Sequence, residues 1–205
     1  MVANGREYEL DCLIFATGFE VGTSYTRRAG YDIIGRGGKT LSEHWSDGLR
    51  TLHGLTVNGF PNCFFLGFTQ TAITISVPQA LSEQANHVTY MVAEARGRGH
   101  QALEPTAEAV DAYVQEVRSL ARIGQRFYTE CTPGYYNSEG AVGNRSGFFS
   151  DMYGAGPLRF FESDQARERG QAVEWLIGAH GTEGDSEISS GALWVKAITL
   201  YYGSA

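Results

Sequence analysis

The sequence is short of the residue that builds disulfide-stapled and most zinc-stapled proteins, with 3 Cys in 205 residues. Cys12, Cys63 and Cys131 are odd in number and far apart, without C-x-x-C spacing, so buried free thiols are expected and not a disulfide framework or a metal or redox site. None of the five His has H-E-x-x-H spacing and no Ser stands in a G-x-S-x-G elbow, which leaves hydrolase chemistry without support. No Lys/Arg run interrupts a net charge of -7, so there is no general attraction to nucleic-acid phosphates or to anionic lipid. The longest apolar runs, residues 13–16 and 63–68, are far below the ~20 residues of a spanning helix. The first nine residues lack the basic start and apolar stretch of a signal peptide. Together these absences lead us to expect a cytoplasmic protein with neither nucleic acid nor membrane as a partner.

What the chain does have is glycine and aromatic residues: 26 Gly, 11 Tyr and 11 Phe. That composition favours a loop-rich fold with aromatic packing over a helical bundle. Val2 and Ala3, Asn4-Gly5 and the run from Tyr8 to residue 15 have the form of a hairpin, because Asn-Gly supplies the positive φ angles of a tight turn. Its first strand is so short that the chain is expected to continue a larger protein. Residues 10–15 are almost continuously apolar after Asp11, the pattern of a strand buried on both faces in a parallel sheet. Ala16-Thr17-Gly18 ends it with small residues, at the strand end where ligands of open α/β sheets bind.

Residues 35–59 read as loop and short strands, and a second apolar strand follows at 63–68. After a polar, β-branched stretch at 69–75, Ser76 and Gln79 have capping-box spacing with Pro78 in the first turn of a helix. Leu81, Ala85, Val88, Val92 and Ala95 form the expected apolar face of that helix, which should end near Gly97 or Gly99. Strand, loop and helix N-terminus together would offer N–H groups and a positive dipole end to an electron-rich ligand, although an ordinary packing unit has the same pattern. A second helix is expected over 106–123, with Val110, Tyr113, Val114, Val117, Leu120 and Ala121 as its stripe. An irregular, aromatic-rich region follows at 127–161, then a short helix at 163–169 and a segment at 171–177 ambiguous between helix and strand. Residues 180–205 show no link to the rest. Gly97-Arg98-Gly99-His100-Gln101-Ala102 fits a loose dinucleotide pattern but follows a helix where the fingerprint needs a strand, and reads as a helix end. Glu83, Glu94, Glu108 and Glu116 read as solvated helix faces.

The segment from Asp11 to Phe19, D-x-x-x-x-A-T-G-F, resembles the motif that returns the chain to the FAD domain in flavin-containing and Baeyer-Villiger monooxygenases. Trp45, Gly48, Arg50-Thr51, Gly54-Leu55, Gly59-Phe60-Pro61-Asn62 and Phe64-Phe65 are similar to the corresponding segment of Baeyer-Villiger monooxygenases. Residues 131–140, beginning Cys131-Thr132-Pro133-Gly134, resemble the tail of the branch acting on larger cyclic and terpenoid ketones. The likeness covers about residues 2–176 and departs at Phe68-Thr69, where many members have Gly-Pro.

That resemblance implies an α+β fragment of an α/β two-dinucleotide-binding flavoprotein. Residues 1–100 would be the C-terminal portion of an FAD-binding domain, 101–178 a helical, loop-rich and aromatic-rich C-terminal section, and 179–205 a tail of unknown structure. It further implies FAD and NADP as cofactors, and a ketone and O2 as small-molecule partners, with one oxygen atom inserted beside the carbonyl. The flavin-side residues would be Thr17, Gly18, Thr69, Gln70, Thr71, Ile75, Ser76 and Val77. Tyr135, Tyr136 and Asn137 would approach the nicotinamide and substrate. The glycine-rich FAD fingerprint, the NADP domain and the active-site arginine of the family would lie upstream of Met1, so no catalytic residue is assigned and the isolated chain is expected to be inactive. Two other readings stay open: an N- or S-oxygenating flavin monooxygenase, and a non-catalytic interaction module using residues 127–161.

Overall fold

The computed structural model of the chain describes residues 1–16, 24–120, 130–134, 151–166 and 196–199. It opens on the expected hairpin, with β1 (Val2–Ala3) antiparallel to β2 (Arg6–Glu7). Asn4 and Gly5, at φ 52° and 74°, make the left-handed turn, and Tyr8 N–H donates to Met1 O at 2.8 Å below it. The buried strand expected at residues 10–15 is not formed. These residues take no part in a strand, and Ile14 and Phe15 are 82% and 79% exposed. A strand can be buried only with neighbours beside it and layers over both faces, and among the described residues nothing stands in those places. Cys12 is exposed with it and Cys131 is exposed too, so only Cys63 of the three thiols is buried as expected.

Residues 25–60 fold into short pieces, most of them around one apolar cluster, while Leu52 and Leu55 face two others. They include α1 (Tyr25–Ala29), a 3-10 turn at Arg36–Gly38 and α2 (Leu41–His44). α2 is only one turn long, and it carries a full capping box: Glu43 N–H donates to Thr40 Oγ1, and Thr40 N–H to Glu43 Oε2. Leu41, Trp45, Leu49, Val57 and Phe60 point into the cluster with Cys63 and Phe65.

The second expected strand is present as β3 (Cys63–Leu66) and is buried on both faces. Phe65 joins the Trp45 cluster, while Phe64 packs against Met91, Ala95 and Leu103 on the opposite side. Alternation of side chains along a strand forces that split, and burying each ring stabilises the fold by about 1.5–3 kcal/mol. β4 (Lys196–Thr199) runs parallel to β3, with Cys63 opposite Lys196 and Leu66 opposite Thr199. Residues 196–199 thus pair with a segment to which their sequence shows no link.

α3 (Val77–Gly97) follows, with Pro78 in its first turn and its end near Gly97 as expected. The His100 N–H to Ala95 O bond and Gly99 at φ 75° close it. Its buried face differs from the expected one: Ala80, Gln84, His87, Met91 and Ala95 are buried, whereas Ala85 is exposed. The stripe is displaced by one residue, with Gln84 turned inward to the hydrogen bonds described below and His87 on the same side. α4 (Ala107–Leu120) buries Val110, Tyr113, Val114 and Val117 of the expected stripe against Leu52, Ala72, Tyr153 and Phe160, with Leu120 partly buried beside them, while Ala121 and the expected last turn to residue 123 lie outside the described residues. α5 spans Pro157–Ala166 and so begins earlier than the helix expected at 163–169, with Phe160 as its buried anchor. Ambiguous residues 171–177 lie outside the described residues. No helix of the described residues is long and apolar enough to cross a membrane.

Candidate functional site

The unit β3, loop 67–76 and the N-terminus of α3 carries six of the candidate site residues. Thr17, Gly18, Tyr135, Tyr136 and Asn137 lie outside the described residues.

The root of the loop is locked from several directions. Gly67 begins it with φ 146°, and Gln84 from α3 grips both its backbone groups: Gly67 N–H donates to Gln84 Oε1 at 2.8 Å, and Gln84 Nε2 donates to Gly67 O at 2.7 Å. That pairing explains a buried glutamine on the inner side of α3, since a buried amide is tolerated when hydrogen-bonded. Gln70 sits in the left-handed region at φ 54° and is wholly buried. Its Oε1 accepts from Thr51 N–H and from Thr51 Oγ1, both at 2.8 Å, and its backbone O accepts from Tyr113 Oη at 2.7 Å. Thr71 Oγ1 donates back to Gly67 O at 3.2 Å.

Gly54 passes so close to this loop that a Cβ there would lie 2.3 Å from Thr69 O and 2.3 Å from Thr71 Cγ2. Its own φ of 73° also suits glycine. His53, at φ 55°, lies edge-on to the Tyr113 ring at 5.2 Å, and its ring is 6.1 Å from that of His87. A polar floor therefore underlies the loop, made from residues 51–54, α3 and α4.

The tip is different. Ile73, Ile75 and Val77 are exposed, and Ser76 is half-buried. The expected Ser76–Gln79 capping box is not formed, because Ser76 makes no side-chain cap bond and its N–H donates to Thr74 Oγ1 at 3.3 Å. The N–H groups of the first turn of α3 are therefore left without a side-chain cap, and the positive end of the helix faces outward beside Ile75 and Val77. The six expected residues divide accordingly: the side chains of Thr69, Gln70 and Thr71 are turned into the protein, and Ile75, Ser76 and Val77 stand at the open end.

The supporting residues Thr51, Gly54, Gln84 and Tyr113 carry no functional assignment from the sequence. Gln84 had a visible signal, a long polar residue one step from an apolar stripe. The reach of Tyr113 across to Gln70 had none.

Around the site, charge is handled by partners. Burial pushes the Glu104 carboxyl above its ordinary value, opposed by Arg36, whose Nη1 lies 2.9 Å from Glu104 Oε1. Burial works against ionisation of Asp32 too, but hydrogen bonds from Ser42, Tyr25 and Ile33 together hold it below the usual carboxylate value. Among the described residues no group of three His, Cys, Asp or Glu could hold a metal ion.

Set against known proteins, the chain matches no protein-family model. It is 48% identical over 164 residues to the pentalenolactone D synthase of Streptomyces exfoliatus, covering 78% of this chain and 28% of that protein. It is 40% identical over 177 residues to Baeyer-Villiger monooxygenase 4 of a Dietzia strain, covering 86% and 29%. Among solved structures, the polycyclic ketone monooxygenase of Thermothelomyces thermophila superposes with a TM-score of 0.69 at 30% identity, over 86% of this chain and 29% of that one. The chain thus spans under a third of the length of the relatives it matches. In sequence and in fold, it belongs over that span with the Baeyer-Villiger monooxygenases.

Proposed function

We propose that the chain is the part of a flavin-dependent monooxygenase that closes the FAD domain and faces the flavin with the segment 69–77, the end of loop 67–76 and the first residue of α3, in an enzyme converting a ketone to an ester or lactone with NADPH and O2. The observation that carries this reading is the division of the loop into a root fixed by Thr51, Gln84 and Tyr113 and an open tip at an uncapped helix N-terminus. An electron-rich ring edge is the partner such a terminus favours. Bound FAD would supply the chemistry of oxygen activation and NADPH the reducing equivalents. The residues of the chain would bind and orient. Ile75 and Val77 offer apolar contact and exclude water, the N–H groups beside Ser76 offer hydrogen bonds, and Thr69, Gln70 and Thr71 hold the loop in shape from behind.

Residues 1–100 would belong to the FAD domain and 101–178 to the C-terminal section. The name of one structural neighbour, a polycyclic ketone monooxygenase, favours a bulky cyclic ketone as substrate. Tyr135, Tyr136 and Asn137 remain our candidates for the substrate and nicotinamide side.

The test exchanges residues 1–176 for the equivalent segment of the Dietzia enzyme. The hybrid should purify yellow and form lactone from a polycyclic ketone with NADPH. A yellow hybrid that oxygenates amines or sulfides and gives no lactone would replace this reading by the N- or S-oxygenating one. The chain alone should purify colourless, and flavin at near one per chain would overturn the expectation that these residues do not hold FAD by themselves.

A further inference from the structure

The C-terminal section does more than cover the core: it holds two successive carbonyls of the loop. Tyr113 Oη on α4 donates to Gln70 O at 2.7 Å, and Tyr153 N–H, from the segment leading into α5, donates to Thr71 O at 3.1 Å. The Tyr153 segment is also tied to the helix that carries Tyr113, since Tyr153 Oη donates to Glu116 Oε1 at 3.3 Å, one turn of α4 beyond Tyr113. Ala72, the next loop residue, is buried in the same cluster as Val110, Val114 and Phe160. Gln70 needs that support because its backbone stands at φ 54°, a region that costs a non-glycine residue free energy and persists only where surrounding structure imposes it.

We propose that Tyr113, with Tyr153 and Glu116 behind it, is a positioning residue that sets the placement of the loop tip at Ile73, Ile75 and Val77, so that docking of the C-terminal section governs the shape of the site. The mechanical part of this inference stands on the hydrogen bonds above. Its consequence for an oxygenation reaction rests on the flavin-side reading.

The experiment measures backbone order parameters in the full chain, without flavin, for Tyr113→Phe and for Glu116→Ala. Tyr113→Phe keeps the ring and removes the donor, leaving a buried carbonyl unsatisfied. Order at Ala72, Ile73 and Ile75 should fall from about 0.85, the rigid range, towards about 0.6 or below, while Phe64, Phe65 and Met91 stay rigid. Glu116→Ala, a change at a partly exposed position, should give a smaller loss at the same residues. It decides the matter should Tyr113→Phe fail to fold. Unchanged order at the tip would overturn the proposal, as would a loss spread equally over β3, which marks Tyr113 as a core residue only. Neither result depends on flavin, so this failure is distinct from failure of the lactone test.

Discussion

Gly54 shows how one residue can fix a site it does not line. With 2.3 Å separating a hypothetical Cβ from both Thr69 O and Thr71 Cγ2, and with φ at 73°, Gly54→Ala must shift the loop or strain the backbone. We expect it to destabilise by about 2–4 kcal/mol, read as a lower urea midpoint at unchanged slope. Glu104 gives a pH signature. Its folded-state pKa is raised chiefly by burial, so the fold favours the protonated carboxyl. Its stabilising share is complete below its unfolded value of about 4.5 and is lost as pH rises through the higher folded value. Thermal melts of Glu104→Gln should therefore lack the part of the decline that the native chain shows as pH climbs from that point. An undiminished decline would assign it to other groups.

Among the elements, α3 is where pattern and packing disagree most usefully. Five apolar residues at helical spacing marked a face through Leu81, Ala85 and Val88, yet the buried face runs through Ala80, Gln84, His87 and Met91. The apolar stripe still packs in part, with Val88 and Val92 beside Phe64, but the polar contacts of Gln84 decide the rotation. Met91→Ala should cost about 2–5 kcal/mol in chemical unfolding, and Ala85→Ser should stay within about 0.5 kcal/mol. Equal effects would restore the face read from spacing. The capping boxes teach the same point. Ser76 and Gln79 have the right spacing and no bond, while Thr40 and Glu43 have both bonds. Spacing gives the opportunity, and the direction in which the chain enters the helix settles whether the hydroxyl reaches the N–H.

At the level of the molecule, one apolar run is a buried strand and the other is not. β3 has Leu55 O accepting from Phe65 N–H, β4 alongside, α3 over one face and the Trp45 cluster over the other. Residues 10–15 are as apolar in sequence but leave Leu10, Leu13, Ile14 and Phe15 exposed. Burial of a strand is a property of what surrounds it. Strand propensity cannot supply the neighbours.

The sequence by itself determined the pieces whose causes are local. The Asn4-Gly5 turn, the buried stripe of α4, the stop of α3 near Gly97 and the apolar run of β3 each follow from conformational preference or periodicity within a few residues. The motifs around Trp45 and Gly59 to Asn62 carried the family. Tertiary structure alone decided which side of α3 is inner, why Gln70 adopts a left-handed backbone, and which side chains hold the loop. Those outcomes depend on groups distant in the chain, Thr51 and Tyr113 meeting at Gln70 across 19 and 43 residues, and the energy of a buried hydrogen bond exists only once folding has excluded water from around it.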